Sequence, residues 1–129
     1  MSKAPAKGAP GVDTAKKDVE SALADIAYAC ESRSVPGIRG LLYKDFEGRL
    51  KFIDSLQSHF LSVKEIQINF VIDTVTSEKE KVSVRLHWFK KTIDNSGAFS
   101  KIEGASQFVF RKTSEGLKLF YIRQDNPFF

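Results

Sequence analysis

Midway along this chain the spacing of apolar residues changes from helical to alternating, and that change restricts the fold more than any other feature. Before it, Val19, Ala22, Leu23, Ile26, Ala27 and Cys30 share one stripe of a helix expected from Thr14 to about Arg33. After it, Ile66, Ile68, Phe70 and Ile72 alternate with Glu65, Gln67, Asn69 and Asp73. Alternation sends every second side chain to the same side, so this segment is a half-buried strand. Helices followed by strands make an α+β chain.

The helical half divides into three. Asp13 or Thr14 can cap the first helix, and counting about 100° per residue puts Tyr28 opposite the buried stripe. Pro36 and Gly37 end that pattern, and Ile38, Leu41 and Leu42 suit a short second helix, weakened by Gly40. Tyr43-Lys-Asp-Phe-Glu-Gly48 then turns the chain into a third helix, from about Arg49 to Leu61, with Phe52, Ile53, Leu56 and Phe60 on its apolar arc.

Three turns of similar composition divide the second half: Ser77-Glu-Lys-Glu80, Asp94-Asn-Ser-Gly97 and Thr113-Ser-Glu-Gly116. They are too short for the crossovers that parallel strands need, so four strands form an antiparallel meander. In the second strand Val82, Val84, Leu86 and Trp88 face the helices, while Ser83, Arg85, His87 and Phe89 face away. The third strand, about Phe99 to Arg111, carries Ser106, Phe108 and Phe110 inward and contains Gly104. The last, Leu117 to Arg123, is expected to put Leu117, Leu119 and Tyr121 on one side and Phe120 and Ile122 on the other. Strands this long predict a strongly bent sheet, with the helices in its concave face and a cavity at its wide end.

Composition limits the classes of function. At 129 residues with 42% hydrophobic side chains and eleven Phe, the chain has material for one core. Lys3 and Lys7 account for half of the formal net charge of +4, and the other basic residues are scattered, so no nucleic-acid partner is expected. One Cys and two His exclude an intrachain disulfide and offer no zinc spacing; neither metal nor cofactor is expected. No apolar run is long enough to span a bilayer. Residues 1–12 read as a flexible tether ahead of one domain, 13–129. A Pro/Gly/Ala-rich start of that kind is what remains when an export signal is removed, so the compartment is left open with a lean to the periplasm.

The order of elements, with Tyr43-Lys-Asp-Phe-Glu-Gly48, Gly116-Leu-Lys-Leu-Phe-Tyr-Ile122 and Asp125-Asn-Pro-Phe128, resembles the nuclear transport factor 2-like (cystatin-like α+β cone) superfamily over about Asp13 to Phe129. The resemblance implies a cone, often dimeric through the outer sheet face. The superfamily includes ketosteroid isomerase, scytalone dehydratase and polyketide cyclases, and also non-catalytic transport and assembly modules, so the fold selects no function.

Chemistry in such a cone requires an acid or base in an apolar cavity. The inward faces offer only Ser106, Tyr121 and Tyr43 as polar groups. A non-catalytic binding or assembly module is therefore expected, holding a small apolar ligand; the alternative is a small cofactor-independent enzyme of the isomerase, dehydratase or cyclase type. Tyr43, Phe70, Trp88, Phe108 and Tyr121 are the candidate lining, although the large aromatic side chains would serve equally as core. His87 faces outward and becomes the first catalytic candidate only if the facing is reversed. His59 reads as a partly exposed packing residue, Cys30 as a small buried apolar one, and Asp45, Glu47, Asp73 and Asp125 as capping or solvated acids. On the outer face Val71 and Ala105 accompany Arg85, His87, Phe89, Gln107, Val109, Arg111, Phe120 and Ile122. Arg85, His87, Phe89, Gln107, Val109, Phe120 and Ile122 are the expected homodimer interface.

Overall fold

Three helices precede four strands in a computed structural model that describes residues 10–129. The helices are α1 (Pro10–Glu31), α2 (Val35–Leu41) and α3 (Arg49–Ser62); the strands are β1 (Val63–Ser77), β2 (Lys81–Asp94), β3 (Phe99–Thr113) and β4 (Gly116–Gln124). Neighbours in sequence pair antiparallel in the order β1-β2-β3-β4, giving the expected meander as a curved sheet. Residues 1–9 of the expected tether lie outside the described residues, and α1 begins at Pro10 rather than Thr14. Proline is accommodated in a first helical turn because its missing N–H would have had no partner there.

α1 lays Val19, Leu23, Ile26 and Cys30 on the sheet, chiefly against β1, and leaves Tyr28 74% exposed on its far side. α2 starts at Ser34, whose hydroxyl accepts the Gly37 N–H at 2.9 Å. Beyond α2, Leu42 bridges to Leu119 of β4, and the Tyr43 N–H donates to the Leu119 carbonyl at 2.7 Å. That link fastens the α2–α3 turn to the edge strand. No helix among the described residues is long and apolar enough to cross a membrane.

Strand parity in β2 is as expected: Val82, Val84, Leu86 and Trp88 are buried, and Arg85, His87 and Phe89 are exposed. Across from them, Phe70 pairs with Trp88 and Ile72 with Leu86. Asp73 is then an extra residue, since Thr74 pairs with Arg85, and beyond this bulge Val75 packs on the core.

A second bulge corrects the expectation for β4. Val109 pairs with Tyr121 but Phe110 pairs with Leu119, so Phe120 is the inserted residue. One inserted residue exchanges the faces of everything after it. Ile122, expected on the outer face, pairs with Phe108 and packs against the core, while Tyr121 lies on the side of Val109.

Gly104 has a steric reason. It lies opposite Trp88, and a Cβ at 104 would come within 2.6 Å of the indole Cζ2. The glycine lets the ring lie across β3, and the strand continues through it.

Candidate functional site

The alternation that buries Trp88 places Lys90 on the same inner face, across from Ile68. Lys90 is only 3% exposed. Its ammonium donates to the Pro127 carbonyl at 2.9 Å and meets Nε2 of His59, on α3, at 2.8 Å. Burial lowers the Lys90 amine from 10.5 to about 8. Burial, and then the Lys90 charge, lower the His59 ring to about 4. Near neutral pH His59 is therefore uncharged, and its Nε2 lone pair accepts from the Lys90 ammonium. Cys30 feels the same positive charge, but burial dominates and pushes its thiol up to about 12, so it supplies no thiolate nucleophile.

The other partner of Lys90 comes from the end of the chain. Gln124 turns with φ 71, and the residues after it fold over the inner face. Asp125 is tied to β3: its N–H donates to the Ala105 carbonyl at 3.3 Å, and its carboxylate accepts the Ala105 N–H at 3.1 Å. The Ser106 hydroxyl donates to the Asp125 carbonyl and accepts the Trp88 indole N–H at 2.9 Å. The Asn126 side chain accepts the Phe128 N–H at 2.8 Å, a local turn that directs Phe128 inward. Its buried ring stacks on Phe108 with centroids 6.1 Å apart and meets Phe52 edge-on at 5.3 Å.

The structure therefore separates the expected cavity residues. Phe70, Trp88 and Phe108 do gather on the inner face, where Trp88 and Phe108 are core and Phe70, half-buried, packs edge-on to Phe108 at 5.8 Å. Tyr43 and Tyr121 lie elsewhere. Tyr43 meets Phe120 at 5.5 Å under the Arg111 guanidinium, and Tyr121 lies under Arg123 at 5.2 Å. His87 is on the outer face, its Nδ1 2.7 Å from Asp73 Oδ2 at the surface. Of the expected interface, Arg85, His87 and Phe89 are exposed and Gln107 is half-buried. Val109 is already buried within one chain, Phe120 packs against Tyr43 and Arg111, and Ile122 faces inward.

Lys90 and His59 are the inward ionisable pair that the inner-face inventory lacks. The signal for Lys90 is the alternation itself, continued one step beyond Trp88 into Lys90-Lys91, which reads as solvated surface. For His59 the sequence holds no such signal, because its neighbour is distant along the chain.

No family model and no curated protein matches this sequence. Solved structures match it in fold. A nuclear transport factor 2-like superfamily protein from Salmonella enterica serovar Typhimurium superposes with a TM-score of 0.77 at 11% identity, over 89% of this chain and 92% of the other. A candidate dehydratase of the nuclear transport factor 2-like family from Streptomyces avermitilis gives 0.73 at 17% identity, over 86% and 95%. A nuclear transport factor 2-like protein with a cystatin-like fold from Novosphingobium aromaticivorans gives 0.64 at 18% identity, over 87% and 81%. Likeness at these identities is likeness of fold, and at that level the resemblance drawn from the sequence holds.

Proposed function

Starting from a nuclear transport factor 2-like cone, we propose that this chain is a non-catalytic binding or assembly module that works as a homodimer through the outer face of its sheet. One observation carries the reading: the inner face is filled by the chain's own Phe128, and the Lys90 ammonium is engaged with both His59 and the Pro127 carbonyl. With the end of the chain closed over it, Lys90 is out of a substrate's reach. A small apolar ligand in the space that Phe128 fills would have to displace its ring. The outer face supports the dimer, since Val71 and Phe89 remain 48% and 44% exposed beside Arg85 and His87.

The enzyme reading has one observation in its favour. An amine brought down to about 8 is partly free base in mildly alkaline solution, as a catalytic lysine must be. In that reading the tail has to open. Reductive methylation under native conditions, read by mass spectrometry, separates the two. We expect Lys90 to stay unmodified while surface lysines react; modification at the surface rate would favour the enzyme. Light scattering after size exclusion tests the dimer, and a monomer at high micromolar concentration would remove it.

A further inference from the structure

We propose that the cleft between α2, the α2–α3 turn and the β3–β4 hairpin binds a small oligoanion, either a phosphate ester or a polycarboxylate. It lies outside the cone and stands whether the chain is a module or an enzyme. The cleft has a volume of about 510 Å³, and five basic side chains border it against the single carboxylate of Glu115. The whole chain, by contrast, carries a formal net charge of only +4. The fold has therefore concentrated at one place a charge that the sequence distributes.

The cations differ in what they already hold. Lys112 turns its ammonium to the Ser77 hydroxyl and the Glu78 carbonyl, and Lys118 bonds the Gly40 carbonyl at 2.7 Å with Glu115 at 3.7 Å. Arg39, Lys44 and Arg49 form no ion pair with any carboxylate among the described residues. Two guanidinium forks and one ammonium facing a shared concavity are the donor set that clustered oxyanions match.

A second observation, independent of charge, points the same way. The Nε of Arg49 is shut off from solvent and has no hydrogen-bond acceptor. Shielded donors are normally satisfied, and the Nε of Arg111 beside Tyr43 is in the same condition; an outside acceptor reaches either one only if the local packing opens as it binds. Arg49 is also the first residue of α3, and Gly48 before it provides no capping side chain, so the first N–H groups of the helix lack a side-chain acceptor. Tyr43 adds an aromatic wall, held by Arg111 at 5.2 Å, against which an organic group can lie. A concavity of this size, rather than an extended basic stripe, fits a small molecule and not a nucleic-acid backbone.

Isothermal titration of the full chain with inorganic pyrophosphate and with citrate tests the site. At least one of the two is expected to bind saturably at millimolar concentration or below, and more weakly as salt is added. Binding of pyrophosphate alone identifies the phosphate-ester class, and of citrate alone the polycarboxylate class. Arg39→Gln with Lys44→Gln, two exposed positions whose change leaves the core untouched, is expected to weaken binding roughly tenfold or more. Arg49→Gln should weaken it further if its thermal melting matches the parent. The control pair Lys91→Gln with Lys101→Gln, cross-strand neighbours elsewhere on the sheet, should leave binding unchanged. Failure of both anions to bind, or equal weakening by the two double variants, would overturn the proposal.

Discussion

The two faces of β2 receive alternate residues of one short sequence and end in opposite conditions. Inward, Trp88 and Lys90 are closed over by Asp125, Pro127 and Phe128, and each polar hydrogen named on them has an acceptor. Outward, His87 and Phe89 stay open to solvent, with only the Asp73 carboxylate drawn up beside the imidazole. The difference is that a buried cation must find its partners within the chain, whereas a surface cation can leave them to water or to a ligand. Lys90 follows the first rule. Arg39 and Lys44, exposed and without carboxylate partners, follow the second.

The comparison breaks most visibly at the tail. Phe128→Ala removes a ring packed between Phe108 and Phe52 and is expected to lower unfolding free energy by about 3–5 kcal/mol in chemical denaturation. A loss below about 1 kcal/mol would mean that the inner face is closed without it. Gly104→Ala comes next, because its methyl would meet the Trp88 ring and the Asp125 carboxylate together. The expected loss is about 1–3 kcal/mol, with a change in indole fluorescence.

The pH dependence of stability sharpens the same contrast. Between about 8 and the ordinary 10.5 the unfolded chain keeps a proton that folded Lys90 has released, so stability rises with pH across that window. Cys30 opposes this: from the ordinary 9.0 up to about 12 the unfolded thiol ionises while the folded one does not, so stability falls as pH rises. The profile should therefore climb from pH 8 to 9 by about 1 kcal/mol, level off, and decline above about 10.5. Cys30→Ala is expected to prolong the climb. On the acid side, the unfolded chain takes up a proton at the ordinary His59 value of 6.5 that the folded ring refuses until about 4. Stability is lost as pH falls through that interval, on the order of 1 kcal/mol for a ring that is only partly buried. Urea titrations at a series of pH values would reveal both limbs, and a flat profile from pH 8 to 9 would contradict the burial assigned to Lys90.

The smallest effect belongs to the outer face. Phe89→Ser, measured at dilutions where the chain is monomeric, should change stability by less than about 0.5 kcal/mol. The same substitution is expected to weaken self-association at high concentration. A large loss in the dilute monomer would show that some part of the chain already covers that face.

Alternation and helical spacing were enough to decide the α+β order, the meander and the burial of Val82, Val84, Leu86 and Trp88, because each depends on neighbours along one element. They also placed His87 outside. What they did not carry was the inserted Phe120, whose bulge exchanges Tyr121 and Ile122, since a bulge belongs to a pair of strands and not to one. The closure by Phe128, the meeting of Lys90 with His59 and the gathering of Arg39, Lys44 and Arg49 depend likewise on segments far apart in the chain. Periodicity tells a side chain which way to point; only the packed structure determines what it finds there, because desolvation and charge act through space.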